Sequence, residues 1–239
     1  MTVNLGFADE FDTVETKLKT ALEADIRSDA EKERDRNRRP IDTLRFFGLR
    51  DDMKIVELLP GSGWYTKLLA PVVRENGKYY AAFGTMRISE SVLKESGFEA
   101  ATVTAAESRT YREEGARTYT LETKGLGVTG VDMVLTFRNY HNFSSEGRAA
   151  MNKAAFDALK SGGVYAVVDH NRRHMESDNM ENRRRIDPVL AIHEIQAAGF
   201  RLVDYSKLHF RPDDELRYEV GRKTVTGNTD RWTLKFVKP

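Results

Sequence analysis

The residues best suited to chemistry form one short segment, ELLPGSGWYT at positions 57–66. Glu57 ends an apolar run, and a turn that contains Gly61 and Gly63 comes directly before a helical pattern. Glycines let the backbone approach a ligand closely, and the first turn of a helix offers N–H groups that have no partner inside the helix. In an open α/β sheet, such a strand, turn and helix form a nucleotide-shaped pocket. The segment therefore predicts a cofactor site.

Further candidates follow other predicted strands. Ligands of open α/β sheets bind outside the carboxyl ends of the strands, so we expect these side chains to lie near the glycine turn. His141 is the first candidate for a general base and His170 the second, because imidazole titrates near neutral pH. The residues at these strand ends are Phe83, Gly84, Arg138, Asn139, Tyr140, His141, Asp169 and His170.

The elements that must position these residues alternate along the chain. Apolar spacing predicts a doubly wound, mostly parallel α/β sheet in residues 51–239, preceded by an N-terminal helical extension in residues 1–50. The predicted helices are residues 11–39, 41–47, 66–73, 144–159 and 187–198, and the stretch 89–115 is helical or irregular. The predicted strands are residues 53–58, 78–83, 117–122, 131–137, 164–168, 200–205 and 231–239.

Composition excludes several classes of protein. The 239 residues carry 38 Lys and Arg against 37 Asp and Glu, a net charge of +1. A dedicated nucleic-acid binder needs a larger positive excess, so nucleic acid is a disfavoured partner. The absence of cysteine excludes disulfides and thiolate chemistry. No apolar run is long enough to cross a membrane, and the start shows no leader peptide, which favours a cytoplasmic protein. An exported mature chain stays an alternative.

The order of the elements resembles that of class I S-adenosylmethionine-dependent methyltransferases. That family has a seven-stranded sheet with an antiparallel last strand and an acid-x-Gly-x-Gly-x-Gly motif. Glu57, Gly61 and Gly63 match this motif, and Leu59 stands where the first glycine would be. From about residue 36 onward, the chain is also similar to a group of bacterial predicted methyltransferases without an assigned substrate. The matching segments are FFG (46–48), ELLPGSGWYT (57–66), RNYHN (138–142), DH (169–170) and AGF (198–200).

The resemblance implies S-adenosylmethionine as the cofactor and methyl transfer to a small-molecule acceptor. Glu57 would hold the amino group of the methionine part, and the ring of Tyr65 or Tyr140 would face the sulfonium. A homodimer stays open. The implied cofactor-binding residues are Glu57, Leu59, Pro60, Gly61, Gly63, Trp64, Phe83, Gly84, Arg138 and Asn139. The implied catalytic residues are His141, Tyr65 and His170.

Other functions compete with this one. A nicotinamide dehydrogenase would need a glycine where the chain has Thr66, and an acid after the second strand, where residues 79–84 contain none. Methyltransferases also commonly use that acid for the ribose, so a non-catalytic nucleoside-binding, S-adenosylmethionine-binding or interaction protein on the same fold is the main alternative. A third alternative is an RNA methyltransferase that uses the arginine runs 34–39 and 183–185 as a phosphate track. Such runs more often form solvated helix faces.

No metal is predicted. Asp169, His170 and His174, with His141, offer oxygen and nitrogen ligands. The basic residues Arg172 and Arg173 between them would repel a cation.

Overall fold

The computed structural model describes the backbone of residues 6–239 and the side chains of residues 11–239. Its strands are β1 (Lys54–Leu58), β2 (Lys78–Ala82), β3 (Thr102–Thr104), β4 (Arg109–Tyr111), β5 (Thr120–Glu122), β6 (Val131–Phe137), β7 (Leu159–His170), β8 (Arg201–Ser206) and β9 (Arg231–Val237). A seven-stranded sheet forms the centre, in the order β3-β2-β1-β6-β7-β9-β8. Strands β4 and β5 form a separate two-stranded sheet.

The strands of the large sheet are parallel except β9, which runs antiparallel between β7 and β8. Parallel neighbours need crossover connections, and helices supply them on both faces. The central strands are therefore covered on both sides. This explains why β6 reads as a nearly continuous apolar run, VDMVLTF, in which all but Asp132 are buried. The predicted fold class is confirmed.

The helices are α1 (Gly6–Glu23), α2 (Asp29–Lys32), α3 (Asp35–Arg38), α4 (Pro40–Phe47), α5 (Thr66–Val73), α6 (Met86–Glu90), α7 (Ser145–Ala158) and α8 (Pro188–Ala197). Two 3-10 turns cover Val92–Lys94 and Tyr140–Asn142. The predicted starts of α7 and α8 are correct for a clear reason. The side chains of Ser144 and Asp187 each accept a hydrogen bond from a backbone N–H of the first turn.

The predicted single helix over residues 11–39 is wrong, because the chain breaks it twice. Helix α1 ends at Glu23, and Ser28 caps the start of α2. The Ser28 side chain accepts a hydrogen bond from the Glu31 backbone N–H, and the Glu31 side chain accepts one from the Ser28 backbone N–H. A serine that bonds to the backbone favours a new helix start over a continuous helix. The break turns residues 28–38 back across the glycine turn at residues 61–63.

The predicted third strand, residues 117–122, is a strand only at residues 120–122, and its expected place in the large sheet is wrong. Residues 120–122 pair with β4 outside the large sheet, and the third position next to β2 belongs to Thr102–Thr104. That strand lies inside the stretch interpreted as helical or irregular. With three residues at a sheet edge, it is too short to show an alternating pattern. The predicted fifth strand, residues 164–168, is longer than expected, because β7 already begins at Leu159.

The N-terminal helices share a core with the sheet. Val14 and Leu18 of α1 and Leu44 of α4 pack in one buried cluster with Leu68 of α5. The division at residue 50 into an extension and a domain stays a prediction. The expected absence of a leader concerns the first residues, and residues 1–5 lie outside the described part. Among residues 6–239, no helix is long and apolar enough to cross a membrane.

Candidate active site

The glycine turn lies at the carboxyl end of β1, and its two glycines differ in the space that surrounds them. Gly61 has φ +61°, and a Cβ built there would meet nothing within 4 Å. Gly63 has φ +84°, and its Cβ would lie 2.9 Å from Val92 Cγ2 and 3.1 Å from Ile88 Cγ2. Gly61 therefore keeps open space above the turn, whereas Gly63 is required for close packing beneath it.

Two neighbouring cavities open at this edge of the sheet. The first, here called the turn cavity, measures about 210 Å³; the second, the arginine cavity, measures about 320 Å³. They share Arg34, Arg38 and Arg138. The turn cavity is also lined by Glu31, residues 57–62, Trp64, Tyr65, Phe137 and Asn139. The remaining lining of the arginine cavity is Asn37, His141, Asn142, His170, Arg184, Val220, Gly221, Thr226, Gly227, Thr229 and Arg231.

Glu57 is buried at the floor of the turn cavity and is only 3% exposed. Its Oε2 accepts hydrogen bonds from Thr66 Oγ1 at 2.8 Å and from the Tyr79 hydroxyl at 2.6 Å. Burial raises the pKa of Glu57 to about 7, although both hydrogen bonds and Arg38 act in the opposite direction. A cationic group placed in the cavity would favour the charged form of this carboxyl and would lower its pKa again.

Trp64 and Tyr65 join the turn to the N-terminal segment. The Trp64 Nε1–H donates to the Glu31 carbonyl at 3.0 Å, and the Arg38 guanidinium lies 4.1 Å from the Trp64 ring centre. Tyr65 stacks on Phe137 with 3.6 Å between ring centres. These two aromatic residues thus pack the wall of the cavity and line it at the same time. Tyr140 lines neither cavity; it is fully buried, and its hydroxyl donates to Glu194 at 3.0 Å.

The end of β2 differs most from the expected cofactor site. Phe83 and Gly84 line neither cavity. The Leu59 side chain occupies the space beside them, since its Cδ2 lies 3.3 Å from a Cβ built on Gly84. The side chain that replaces the first motif glycine thus packs where the resemblance would put a ribose-binding acid.

Three residues at strand ends have left-handed backbones that glycine would adopt more easily. Leu59, Phe83 and Arg138 have φ of +54°, +63° and +61° after β1, β2 and β6. Such conformations cost roughly 1–2 kcal/mol each and concentrate at functional sites. Asn139 fixes two of these ends together, because its Nδ2 donates to the carbonyls of Leu59 at 3.0 Å and Phe137 at 3.1 Å.

His141 and Asp169 form a tight pair at the ends of β6 and β7. His141 Nδ1 lies 2.5 Å from Asp169 Oδ1, and the His141 backbone N–H donates to Asp169 Oδ2 at 2.9 Å. Asp169 is fully buried. A carboxylate on Nδ1 fixes the tautomer of the ring and leaves Nε2 to accept a proton. His141 lines the arginine cavity, so a base of this kind would face that space.

His170 lies beside this pair, with 5.7 Å between the two ring centres. Its Nδ1 is 3.0 Å from Thr229 Oγ1. Burial, and then the neighbouring His141 and arginines, hold the pKa of His170 well below its ordinary value, so its ring is neutral. His174 is bound elsewhere, with Nδ1 2.9 Å from Asp187 Oδ2. Within residues 11–239, no group of three or more His, Asp or Glu side chains is arranged to hold a metal ion.

The arginines are the functional candidates that sequence reasoning undervalued. The run 34–39 was interpreted mainly as a solvated helix face, yet Arg38 is only 4% exposed and lines both cavities. Burial, with the nearby Arg138, lowers the pKa of Arg38 to about 8. Arg231, which no motif indicated, is 7% exposed and lines the arginine cavity. Pro40 directly after the run was the one sign in the sequence that the chain turns there.

Two loops help to close the arginine cavity. From the loop after β7, Arg184 lines the cavity. Val220, Gly221, Thr226, Gly227 and Thr229 also line it. They lie in the long connection between β8 and β9, for which the sequence showed no regular pattern.

Comparisons with known proteins agree with the fold. No protein-family model and no curated protein sequence matches the chain significantly. Several solved structures are similar in fold. They include a SAM-dependent methyltransferase from Aquifex aeolicus, at 15% identity with a TM-score of 0.59 over 94% of this chain and 98% of that one. A TehB-like SAM-dependent methyltransferase from Corynebacterium glutamicum aligns at 12% identity and a TM-score of 0.53, over 99% and 100% of the two chains.

The [4+2]-cyclase SpnF is a further neighbour, at 14% identity and a TM-score of 0.56 over 97% of this chain and 94% of that one. The strand order and these neighbours together define the class I methyltransferase fold. The presence of a cyclase among them illustrates that one fold carries different reactions, so the reaction must be argued from the site.

Proposed function

We propose that this protein transfers a methyl group from S-adenosylmethionine to a small-molecule acceptor. The observation that carries the proposal is the junction of the two cavities. Gly61 opens the turn cavity, and His141, which is paired with Asp169, lines the arginine cavity next to it. A cofactor on the glycine turn and an acceptor beside the histidine would therefore be neighbours. Holding two reactants in line supplies much of the acceleration of such a transfer.

The residues of the turn cavity fit the methionine end of the cofactor. Gly61 leaves room for a ligand close to the backbone, Glu57 would hold the ammonium group, and Arg38 would meet the carboxylate. The rings of Trp64 and Tyr65 offer faces for a cation. When bound, the cofactor supplies a methyl group on a sulfonium, which is a strong electrophile. The ribose end must be held without an acid after β2, by contacts that differ from the family pattern.

The chain itself would handle the proton. His141 Nε2 would take the proton of the acceptor group as that group forms its new bond to the methyl carbon. Asp169 keeps the Nδ1–H side of the ring fixed and stabilises the imidazolium that results. His170 is the second candidate, but its buried, neutral ring is a weaker base. Because its pKa is lowered, this ring suits the role of a hydrogen-bond partner better than that of a proton acceptor.

Calorimetric titration with S-adenosylmethionine and with its demethylated product, S-adenosylhomocysteine, tests the cofactor first. We expect both to bind, and Gly61→Ala to weaken binding at least ~10-fold because the methyl group enters the ligand space. Gly130→Ala is the matched control: its φ is +67°, its Cβ also meets nothing within 4 Å, and it precedes β6 at the opposite edge of the sheet. No binding by the wild type at millimolar concentration would contradict the proposal.

Release of S-adenosylhomocysteine, measured across a panel of small acceptors, tests the reaction. With an accepted compound, His141→Ala should lower turnover about 10²–10⁴-fold and leave cofactor affinity nearly unchanged. The exposed His193→Ala serves as the control. Cofactor binding without turnover on any compound would instead favour a non-catalytic binding protein on this fold. Full turnover by a stable His141→Ala variant would remove His141 as the base.

A further inference from the structure

The arginine cavity contains buried positive charge without matching carboxylates. Among the side chains of residues 11–239, its lining includes Arg34, Arg38, Arg138, Arg184 and Arg231 and no Asp or Glu. Of these five, Arg184 forms an ion pair with Glu219. Within the described side chains, the other four have no carboxylate within 4 Å. The Nε atoms of Arg38, Arg138 and Arg231 are buried and have no hydrogen-bond partner in the described part of the chain.

Two other buried arginines, Arg27 and Arg185, each have a carboxylate partner. The Arg27 Nε also lacks a hydrogen-bond partner, so the missing carboxylates are what distinguish this cluster. Arg185, 2% exposed, binds Asp214 with two hydrogen bonds of 2.9 and 3.0 Å. Arg27, 3% exposed, lies 2.5 Å from Asp35. A buried charge that lacks an opposite charge is strongly unfavourable, so it calls for a compensating role. An anionic ligand in the cavity would supply the missing partners.

The number of arginines in the arginine cavity that lack a carboxylate partner indicates how much negative charge the anionic ligand carries. If the cofactor carboxylate neutralises Arg38, as the proposed function requires, Arg34, Arg138 and Arg231 still face the cavity. Guanidinium groups bind carboxylate and phosphate oxygens in paired hydrogen bonds. His141 and His170 line the same space, so an anion held by these arginines would lie beside the proposed base.

We propose that the acceptor is a small molecule that carries two or more negative charges, as phosphate or carboxylate groups, held by Arg34, Arg138 and Arg231. The arginines position the acceptor, and His141 deprotonates the group that is methylated. The accepting atom donates an electron pair to the methyl carbon, the carbon–sulfur bond breaks with its pair going to sulfur, and the proton passes to His141. This assignment rests on the proposed function, but the anion site can be measured without it.

Pyrophosphate and citrate are the probes, because each carries several negative charges. Pyrophosphate represents a phosphorylated acceptor, and citrate represents a polycarboxylic one. Calorimetric titrations at constant ionic strength should give saturable binding of at least one probe by the wild type. Arg231→Gln should weaken it at least ~10-fold, and Arg34→Gln about 3-fold or more. Arg34 is exposed at the rim, so that variant tests the site even if Arg231→Gln fails to fold. Arg36→Gln, on the exposed face of α3, is the matched control.

The outcomes separate this proposal from the proposed function. Arg231 lines only the arginine cavity, so Arg231→Gln should still bind S-adenosylhomocysteine, and Gly61→Ala should still bind the anion probe. Preference for pyrophosphate indicates a phosphorylated acceptor, and preference for citrate a polycarboxylic one. Absence of binding at about 10 mM, or equal weakening by Arg36→Gln, overturns the anion site. Anion binding without S-adenosylhomocysteine binding would support the anion site and contradict the proposed methyl transfer.

Discussion

Glu57 should make the stability of this protein fall as pH rises, the reverse of the usual behaviour of a carboxylate. Burial raises its folded-state pKa from 4.5 to about 7. Between these two values, the folded protein keeps a proton that the unfolded chain releases. Stability therefore decreases with pH across this window. The contribution of the neutral carboxyl is fully present below pH 4.5 and is lost as the pH rises through 7.

The size of the effect follows from the shift in pKa. A shift of about 2.5 units corresponds to roughly 3 kcal/mol in total, and about 2.5 kcal/mol of it falls between pH 5 and pH 8. The Glu57→Gln variant cannot titrate and keeps an oxygen that Thr66 and Tyr79 can bond to. We expect it to lack this part of the pH dependence, while all other titrating groups contribute equally to both proteins.

The assay is urea unfolding followed by circular dichroism at pH 5 and pH 8, for the wild type and for Glu57→Gln. The difference between the two proteins in their loss of stability isolates Glu57. Equal losses would refute the reasoning and would mean that water or an ion reaches the carboxyl in the folded state. Glu114→Gln, at an exposed turn position between β4 and β5, is a suitable control for the loss of one carboxylate.

Three further predictions use the same methods. Gly63→Ala should lower the melting temperature much more than Gly61→Ala, because only the Cβ at position 63 meets core side chains, at 2.9 Å. Differential scanning fluorimetry tests this, and equal losses in melting temperature would contradict it. Arg185→Ala should cost about 3–5 kcal/mol in urea unfolding, since it leaves the buried Asp214 unpaired; a loss below about 1 kcal/mol would show that water replaces the pair. Asn139→Ala should cost about 1–3 kcal/mol by removing two hydrogen bonds to strand ends, and an unchanged urea midpoint would contradict that role.

Much of the fold could be predicted from the sequence because buried parallel strands and capped helices leave local patterns. Strand β6 reads as an apolar run because helices cover both its faces, and Ser144 and Asp187 mark helix starts because their side chains bond to the first turn. The glycine turn was recognisable because a strand, two glycines and a helix follow each other without a gap. Strand β3 was not predicted, because three residues at a sheet edge carry too little pattern.

The sequence by itself determined the fold class, the glycine turn and the histidine at the end of β6, since each depends on neighbours along the chain. The tertiary structure decided what these residues face. Arg38 and Arg231 are 193 positions apart, and only the return of β9 beside β7 brings them into one cavity. Their charge looked balanced in the composition, which counts 38 basic and 37 acidic residues. The structure separates those charges in space, because burial removes Arg38, Arg138 and Arg231 from the acids that neutralise the surface.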